Sequence, residues 1–202
     1  MSLCYANLLP FVDWRYPKPT TPWLEGWTTL AAAACDTSRI KLATYVTQIP
    51  LRNPALLARQ ALTVDQISNG RLVIGLGIGL TSDPSYDMIG MPNWPLRERV
   101  ARFKEYVEIV HLLLTQETAS YDGAYYTIKD AVMIPRSIQN PRPPIAIGAV
   151  GPVMLKNVAR YADIWNSISR GQTLDDQLQE TRERIEILND HCAAVGRDPA
   201  EI

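Results

Sequence analysis

Apolar residues follow two different spacings along this chain, and the two spacings alternate. Between residues 54 and 68 they recur three or four positions apart, as Leu57, Ala61 and Val64 show, which is typical of one face of an α-helix. The stretch 72–76 is then mostly apolar, as expected for a strand buried on both faces of a parallel sheet. The pattern therefore predicts a helix followed by a buried strand.

The same alternation extends over most of the chain. Buried strands are predicted before Asp13 and at 40–46, 72–78, 144–149 and 164–167. Helices are predicted from Thr21-Pro22 to Ala34, at 54–68, at 96–114, from Pro152 to Ala162 and from Thr173 to Ala194. Parallel strands joined by crossover helices form right-handed βα units. We therefore predict an α/β fold with a parallel sheet.

Individual residues mark the ends of these elements. Asn53 is an expected N-cap and Pro54 suits the first helical position, where a missing N–H costs nothing. Asn69-Gly70 and Gly196 are expected to end helices, because glycine readily adopts the left-handed conformation found there. Asp122-Gly123 predicts a tight hairpin.

Composition excludes several classes of protein. At 202 residues and 47% hydrophobic content, the chain is expected to form a single domain spanning 1–202. With 20 basic and 21 acidic residues it lacks the excess of basic residues that is typical of nucleic-acid-binding proteins. Its three cysteines are far apart, which predicts neither a disulfide framework nor a metal site, and fits the cytoplasm. No apolar run reaches the ~18 residues of a membrane span.

Glycines gather where two of the predicted strands end. Gly75, Gly77 and Gly79 alternate, which predicts the close approach of another group on the side that lacks a side chain. They do not form a dinucleotide fingerprint, because a loop follows instead of a helix. The stretch 148–151 leads into a helix N-terminus, which indicates either an anion site or a simple tight turn.

The run RNPALLARQALTVDQISNGRLVIGLGIG, residues 52–79, resembles the signature of the bacterial luciferase-like monooxygenases, a superfamily that includes enzymes using the deazaflavin F420. TSRIKLATYVT precedes it, and DGAYYTI, PPIAIGAVGP and ARYADIWN follow in the same order as in the family. The resemblance implies a TIM-barrel-type (β/α)₈ fold, of which about five of the eight strands are present.

The resemblance also implies a function. The expected activity is that of a flavin-dependent oxidoreductase or monooxygenase, in which reduced FMN reacts with oxygen and an organic substrate. Coenzyme F420 is the alternative cofactor, and a non-catalytic flavin-binding protein or a barrel fragment is the alternative class. No Ser/His/Asp set or paired carboxylates can be recognised, so catalytic residues are not assigned. The sequence does not identify the substrate, because the residues that determine specificity are expected in the variable loops 80–95 and 131–144.

Site residues follow from the resemblance position by position. Asp13 is expected at the mouth of the cofactor cleft or as a loop carboxylate, and Trp14 replaces the family's histidine. Tyr45-Val46 is expected beneath the cofactor ring, joined either by a non-proline cis peptide or by an ordinary trans one. The remaining cofactor-binding residues are expected to be Gly77, Ile78 and Gly79 at the ring and Gly148, Ala149, Val150, Gly151, Asn166 and Ser167 at the phosphate. Leu80 takes the place of a polar residue.

Two further expectations concern charged residues and partners. His111 is expected to be structural, whereas Arg97 and Arg99 are either solvated, paired with Glu98 and Glu105, or directed at an anion. Five strands cannot close a barrel, so the chain is expected to lack elements at both ends and to pair as a homodimer.

Overall fold

The computed structural model describes residues 24–202; the predicted strand before Asp13 lies outside the described residues, as do Thr21-Pro22. The helices are α1 (Gly26–Asp36), α2 (Pro54–Ser68), α3 (Ser85–Met88), α4 (Leu96–Thr115), α5 (Pro152–Tyr161) and α6 (Leu174–Val195), with short 3₁₀ turns at Ile49–Leu51 and Pro199–Glu201. The strands are β1 (Leu42–Ala43), β2 (Thr47–Gln48), β3 (Leu72–Gly77), β4 (Thr118–Asp122), β5 (Thr127–Val132), β6 (Ile145–Gly148) and β7 (Ile164–Asn166).

Strand β3 lies at the centre of a parallel sheet. It pairs with β1 and β2 on one side and with β6 on the other, and β6 in turn pairs with β7. Strands β4 and β5 form a separate antiparallel hairpin that follows α4. The predicted α/β fold with a parallel sheet is thus confirmed, as is the hairpin at Asp122-Gly123.

The helices pack side by side in chain order. Contacts join α1 to α2, α2 to α4, α4 to α5 and α5 to α6. Between these helices and the sheet lies one core, whose fully buried members include Leu57, Leu62, Leu72, Ile74, Val107, Val110, Ile147, Leu155 and Val158. Burial of each large aliphatic side chain contributes about 1.5–3 kcal/mol, which holds the helices against the sheet.

Most helix ends are where local residues predict them. The Asn53 carboxamide oxygen accepts from Ala55 N at 2.8 Å, and Asn69 ends α2 in the left-handed conformation. Thr173 caps α6, and Gly196 ends it at a φ of 70°. Helix α1 differs from the prediction: it begins at Gly26, because the Glu25 carboxylate caps the backbone N–H groups of Trp27 and Thr28.

The predicted strand 40–46 is not continuous. It is replaced by β1 and β2, which are separated by residues 44–46. The backbone of Thr44 crosses Gly75 so closely that a Cβ there would lie 1.8 Å from the Thr44 carbonyl oxygen. The Thr44 hydroxyl bonds both Gly75 N and Gly75 O at 3.1 Å, so the interrupted ladder remains satisfied.

The segment 133–144 lies at the amino-terminal edge of the sheet. The buried Asp65 carboxylate accepts from Ile138 N and from the Gln139 amide, each at 2.8 Å. The same Gln139 amide donates to Leu72 O at the start of β3. The segment thus lies at the edge opposite the carboxyl edge, where functional sites of such folds lie.

His111 also lies near this amino-terminal edge, in a cluster around Arg142. The Arg142 guanidinium donates to His111 Nδ1 at 3.2 Å, to Asp163 Oδ2 at 2.5 Å and to Tyr161 O at 2.9 Å. Burial, followed by the charge of Arg142, lowers the pKa of His111. The side chain therefore serves as a neutral acceptor, in agreement with the expected structural role.

We expect the free energy of unfolding to fall as the pH drops below about 6.5, the ordinary histidine pKa. Unfolded His111 takes up a proton there while the folded residue resists it, so acid favours unfolding until the pH falls below the lowered pKa. His111→Asn keeps an acceptor for Arg142 without titrating. Urea denaturation at several pH values in this range should show that the free energy of unfolding depends less steeply on pH in this variant than in the unmodified chain. An equally steep dependence would contradict the role assigned to His111.

Candidate functional site

Except for Asp13, which lies outside the described residues, all the predicted cofactor residues meet at the carboxyl edge of the sheet. Tyr45 and Val46 lie between β1 and β2, and Gly77 ends β3 just before Ile78 and Gly79. On the neighbouring strands, Gly148 ends β6 before Ala149, Val150 and Gly151, and Asn166 ends β7 before Ser167. Parallel strands end at one edge, and β2, β3, β6 and β7 are neighbours, so these residues lie side by side along that edge.

Val46 occupies the middle of this edge. The Tyr45-Val46 peptide bond is cis, as the resemblance allowed. A Cβ placed on Gly77 would lie 2.4 Å from Val46 Cγ2, and one on Gly148 would lie 3.7 Å from Val46 Cγ1. The close approach predicted at Gly77 is thus made by the Val46 side chain rather than by a ligand.

Gly77→Ala is expected to lower the free energy of unfolding by about 1–3 kcal/mol, because the new methyl group collides with Val46. Val46→Ala combined with Gly77→Ala removes the colliding atoms. Urea denaturation should show this double variant to be more stable than Gly77→Ala alone. A double variant that is no more stable would show that the packing at Gly77 is not limiting.

Behind the exit of β3 lies a buried polar network built around Arg99. The Arg99 guanidinium donates to Ile78 O at 2.9 Å, Trp94 O at 2.7 Å and Asn93 Oδ1 at 2.6 Å. It also bonds the Tyr86 hydroxyl at 3.1 Å and lies 4.5 Å from the centre of that ring. Arg99 is fully buried, so the prediction that it is solvated or paired with a glutamate is wrong.

The network continues from Tyr86 into the neighbouring elements. The Tyr86 hydroxyl donates to Gln48 Oε1, and Gln48 Nε2 donates to Asp83 Oδ2 at 3.3 Å. Burial raises the pKa of Tyr86, although Arg99 opposes the effect, so the phenol retains its proton. Gly79 faces this network at a φ of 73°, and a Cβ there would lie 2.2 Å from the Tyr86 hydroxyl.

The network gives the loop 78–95 a defined structure. Asp83 Oδ1 accepts from Ser85 N at 2.9 Å where α3 begins, and the Asn93 amide donates to Thr81 O at 3.0 Å. The sequence predicts a loop over 80–95, but not the side chains that order it. The burial of Arg99 could have been predicted, since this residue lies on the same helical face as Phe103, Tyr106 and Val110.

The N-terminus of α5 projects from the same edge. Gly151 is its N-cap and provides no side-chain acceptor, and a Cβ on Gly151 would meet nothing within 4 Å. Pro152 has no N–H, and the first intrahelical bond runs from Leu155 N to Gly151 O at 3.0 Å. The N–H groups of Val153 and Met154 therefore lack helical partners and can hold an anion.

One of the predicted phosphate donors is engaged elsewhere, and a second accepts a hydrogen bond while its own hydrogen can still donate. Ala149 N donates to Asn166 O at 3.0 Å, so this N–H links β6 and β7 rather than facing a ligand. The Ser167 hydroxyl accepts from Arg184 Nη1 at 2.8 Å. Arg184 also bonds Glu180 at 3.0 Å, so the strand exit is tied to α6.

The surface between these groups is apolar and exposed. Leu80, Val150 and Ile168 each lie shortly beyond a strand end, and they are 53%, 45% and 68% exposed. Apolar side chains beside free helix N–H groups fit a molecule with a planar, largely apolar ring and a phosphate. FMN and F420 both have these two parts.

Within residues 24–202, no cluster of three or more histidine, cysteine, aspartate or glutamate side chains is placed to hold a metal ion. In the same residues, every helix is too short or too polar to cross a bilayer.

The model of the luciferase-like monooxygenase family matches residues 3–202. The chain belongs to this family. The similarity also reaches individual proteins: an uncharacterized protein of Mycobacterium tuberculosis is 36% identical over 92% of this chain and 61% of its own length. The F420-dependent glucose-6-phosphate dehydrogenase of Amycolatopsis mediterranei is 32% identical over 76% of this chain and 45% of its own.

A solved structure supports the same assignment. The coenzyme F420-dependent tetrahydromethanopterin reductase of Methanopyrus kandleri superimposes with a TM-score of 0.76 at 26% identity, over 89% of this chain and 53% of the reductase. This luciferase-like chain therefore spans 45–61% of the length of these three proteins. The family consists of oxidoreductases and monooxygenases, and the predicted class of fold is confirmed.

Proposed function

We propose that this luciferase-like chain is an oxidoreductase that binds coenzyme F420 across the carboxyl edge of its sheet and acts on a small organic substrate. The observation that carries the proposal is the juxtaposition of an exposed apolar surface with the uncapped N-terminus of α5. Relatives named for F420 dependence support F420 over FMN, the cofactor named first from the sequence. Free thiols at Cys35 and Cys192 agree with a reducing cytoplasm.

Each part of the edge has a task in this proposal. The Val46 side chain and the apolar residues Leu80, Val150 and Ile168 are expected to support the ring and to exclude water from one face. The N–H groups of Val153 and Met154 are expected to hold the phosphate. The cofactor itself supplies the redox chemistry. The network around Arg99 keeps the exit of β3 in position.

Titration of the purified chain with F420 and with FMN, followed by visible absorbance and ultrafiltration, tests the proposal. Saturable retention of F420, with weaker retention of FMN, is expected. Retention of neither would overturn it and favour a barrel fragment. If F420 is retained but its reduced form is never oxidised by any carbonyl substrate offered, the chain is a non-catalytic binding protein.

We also propose that the chain self-associates, as expected for an open sheet. Within the described residues β7 pairs on one side only, and α6 leaves Leu174, Leu178 and Ile185 exposed. An unpaired strand edge and an apolar helix stripe favour pairing with a second copy. Sedimentation should show a homodimer at micromolar concentration, whereas a stable monomer would refute this.

A further inference from the structure

The loop that follows β7, residues 167–171, begins at the carboxyl edge of the sheet. It starts at the level of Gly148, because Asn166 pairs in register with that glycine. Within the loop, the Ile168 side chain is largely exposed. Single apolar side chains are common on protein surfaces, so this exposure alone indicates no function. The backbone of the loop, however, is held by hydrogen bonds on both sides of Ile168.

Arg184, on α6, holds the first half of the loop. One terminal nitrogen of its guanidinium donates to the Ser167 hydroxyl at 2.8 Å and to Ile168 O at 3.1 Å. The other terminal nitrogen donates to Glu180 Oε2 at 3.0 Å. Because a guanidinium is planar and rigid, these three bonds together fix the backbone of Ile168 relative to α6.

Glu180, one turn before Arg184 on the same helix, holds the second half of the loop. Its Oε2 atom also accepts from the Ser169 hydroxyl at 2.8 Å and from Arg170 N at 3.0 Å. The bond from Arg170 N and then that from Ser169 lower the pKa of Glu180, so the carboxylate is charged at neutral pH. An exposed ion pair alone contributes little, but this carboxylate joins a network of charge-assisted hydrogen bonds.

The loop meets the start of α6 at Gly171. A Cβ placed there would lie 2.6 Å from Asp176 Cβ and 2.8 Å from Gln177 N, so the two backbones are in close contact. The Gln177 amide donates to Gly171 O at 3.0 Å. The loop is therefore tied to α6 from Ser167 to Gly171, although the side chain of Ile168 remains in solvent.

We propose that Glu180 and Arg184 are positioning residues of the candidate site. They hold the loop 167–171 against α6, so that Ile168 is already in place at the carboxyl edge when the cofactor ring arrives. A group that is ordered before binding loses less conformational entropy on binding, and the affinity is higher for that reason. The inference rests on the proposed function, because the ring that Ile168 contacts is that of F420.

Tryptic digestion of the full chain under native conditions tests the hold on the loop without any cofactor. Cleavage after Arg170 requires the loop to detach from α6, so its rate follows the population of the detached form. Glu180→Ala is expected to raise this rate about tenfold, because it removes the charge-assisted hydrogen bonds of the loop. Mass spectrometry of the fragments measures the rate.

Glu183→Ala is the matched control for the digestion, since Glu183 lies on the same helix but accepts from Gln179 instead of from the loop. It should leave the rate after Arg170 unchanged. Cleavage after Arg182, inside α6, should be equally slow in both variants and shows that the helix is intact. Equal rates after Arg170 in Glu180→Ala and Glu183→Ala would overturn the proposal.

The affinity for F420, measured by absorbance titration, tests the link between the loop and the site. It should fall about threefold to tenfold in Arg184→Met and less in Arg184→Lys, because lysine keeps the cation but not the planar fork. Glu183→Ala should bind F420 as the unmodified chain does.

Two results of the titration would count against the proposal, and they differ in what they refute. If the unmodified chain retains F420 and Arg184→Met binds it equally tightly, the loop is held for structural reasons only and the positioning role is wrong. If the unmodified chain retains no F420, the proposed function fails and the positioning role fails with it, even where digestion shows that the loop is held.

Discussion

Arg99→Met is expected to lower the free energy of unfolding by about 2–4 kcal/mol, because it leaves several inward-facing acceptors without a donor. The side chain that is lost bonds Ile78 O, Trp94 O, Asn93 Oδ1 and the Tyr86 hydroxyl from a fully buried position. Methionine fills a similar volume, so the loss reports on the hydrogen bonds rather than on a cavity. Urea denaturation measures the effect.

Arg102→Met is the control for this prediction, since Arg102 lies one turn further along α4 and is paired and partly exposed. Its loss should cost about 1–2 kcal/mol, less than that of Arg99, because it removes one ion pair with Glu98 and stacking on Trp94 and Tyr125. Arg99→Lys should be intermediate, because a lysine keeps the charge but cannot reach all of the acceptors of the planar guanidinium. Similar losses for Arg99→Met and Arg102→Met would show that the buried network is not the main support of the loop.

Gly151→Asp is expected to weaken the binding of a phosphate-bearing cofactor by about tenfold to one hundredfold relative to Gly151→Asn. Both side chains can cap α5, and both fit, because a Cβ at Gly151 meets nothing within 4 Å. Only aspartate places a negative charge beside the proposed phosphate position, and the tenfold to hundredfold loss corresponds to a repulsion of about 1.4–2.8 kcal/mol, as expected at an effective dielectric constant of about 20. Absorbance titration measures the affinities.

FMN and riboflavin separate the phosphate effect from a general disturbance of the site, since riboflavin has no phosphate. Gly151→Asp should reduce the affinity for FMN strongly and that for riboflavin little. Because a capping aspartate supports the helix, thermal unfolding should not be impaired. Equal losses of affinity for FMN and riboflavin would show that the phosphate does not bind at this helix.

Helix ends and the central strand could be predicted from the sequence because local chemistry determines them. Asn53 and Pro54 begin α2, Thr173 begins α6 and Gly196 ends it, each through bonds within a few residues. The apolar run 72–76 likewise identifies β3, since it needs burial on both faces whichever neighbours it has. The position of the candidate site at the carboxyl edge then follows from strand direction alone.

Only the tertiary structure decided what fills the space beside each glycine. Thr44 O crosses Gly75, Val46 covers Gly77, and the Tyr86 hydroxyl faces Gly79, so atoms of the chain itself make the close approaches predicted at these glycines. A glycine at such a position predicts that another group lies close to the backbone, but the identity of that group depends on a residue distant in sequence. Gly151, among the glycines of the candidate site, differs from these, because a Cβ there would meet nothing within 4 Å.

The role of Arg99 was likewise set by long-range contacts. Its helical stripe, shared with Phe103 and Tyr106, points inward, yet a buried charge is stable only if distant groups satisfy it. Those groups come from Ile78 and Tyr86. The sequence by itself determined which elements form and where they end. Which side chains meet at the carboxyl edge was decided by packing between elements, because those contacts join residues that no local pattern connects.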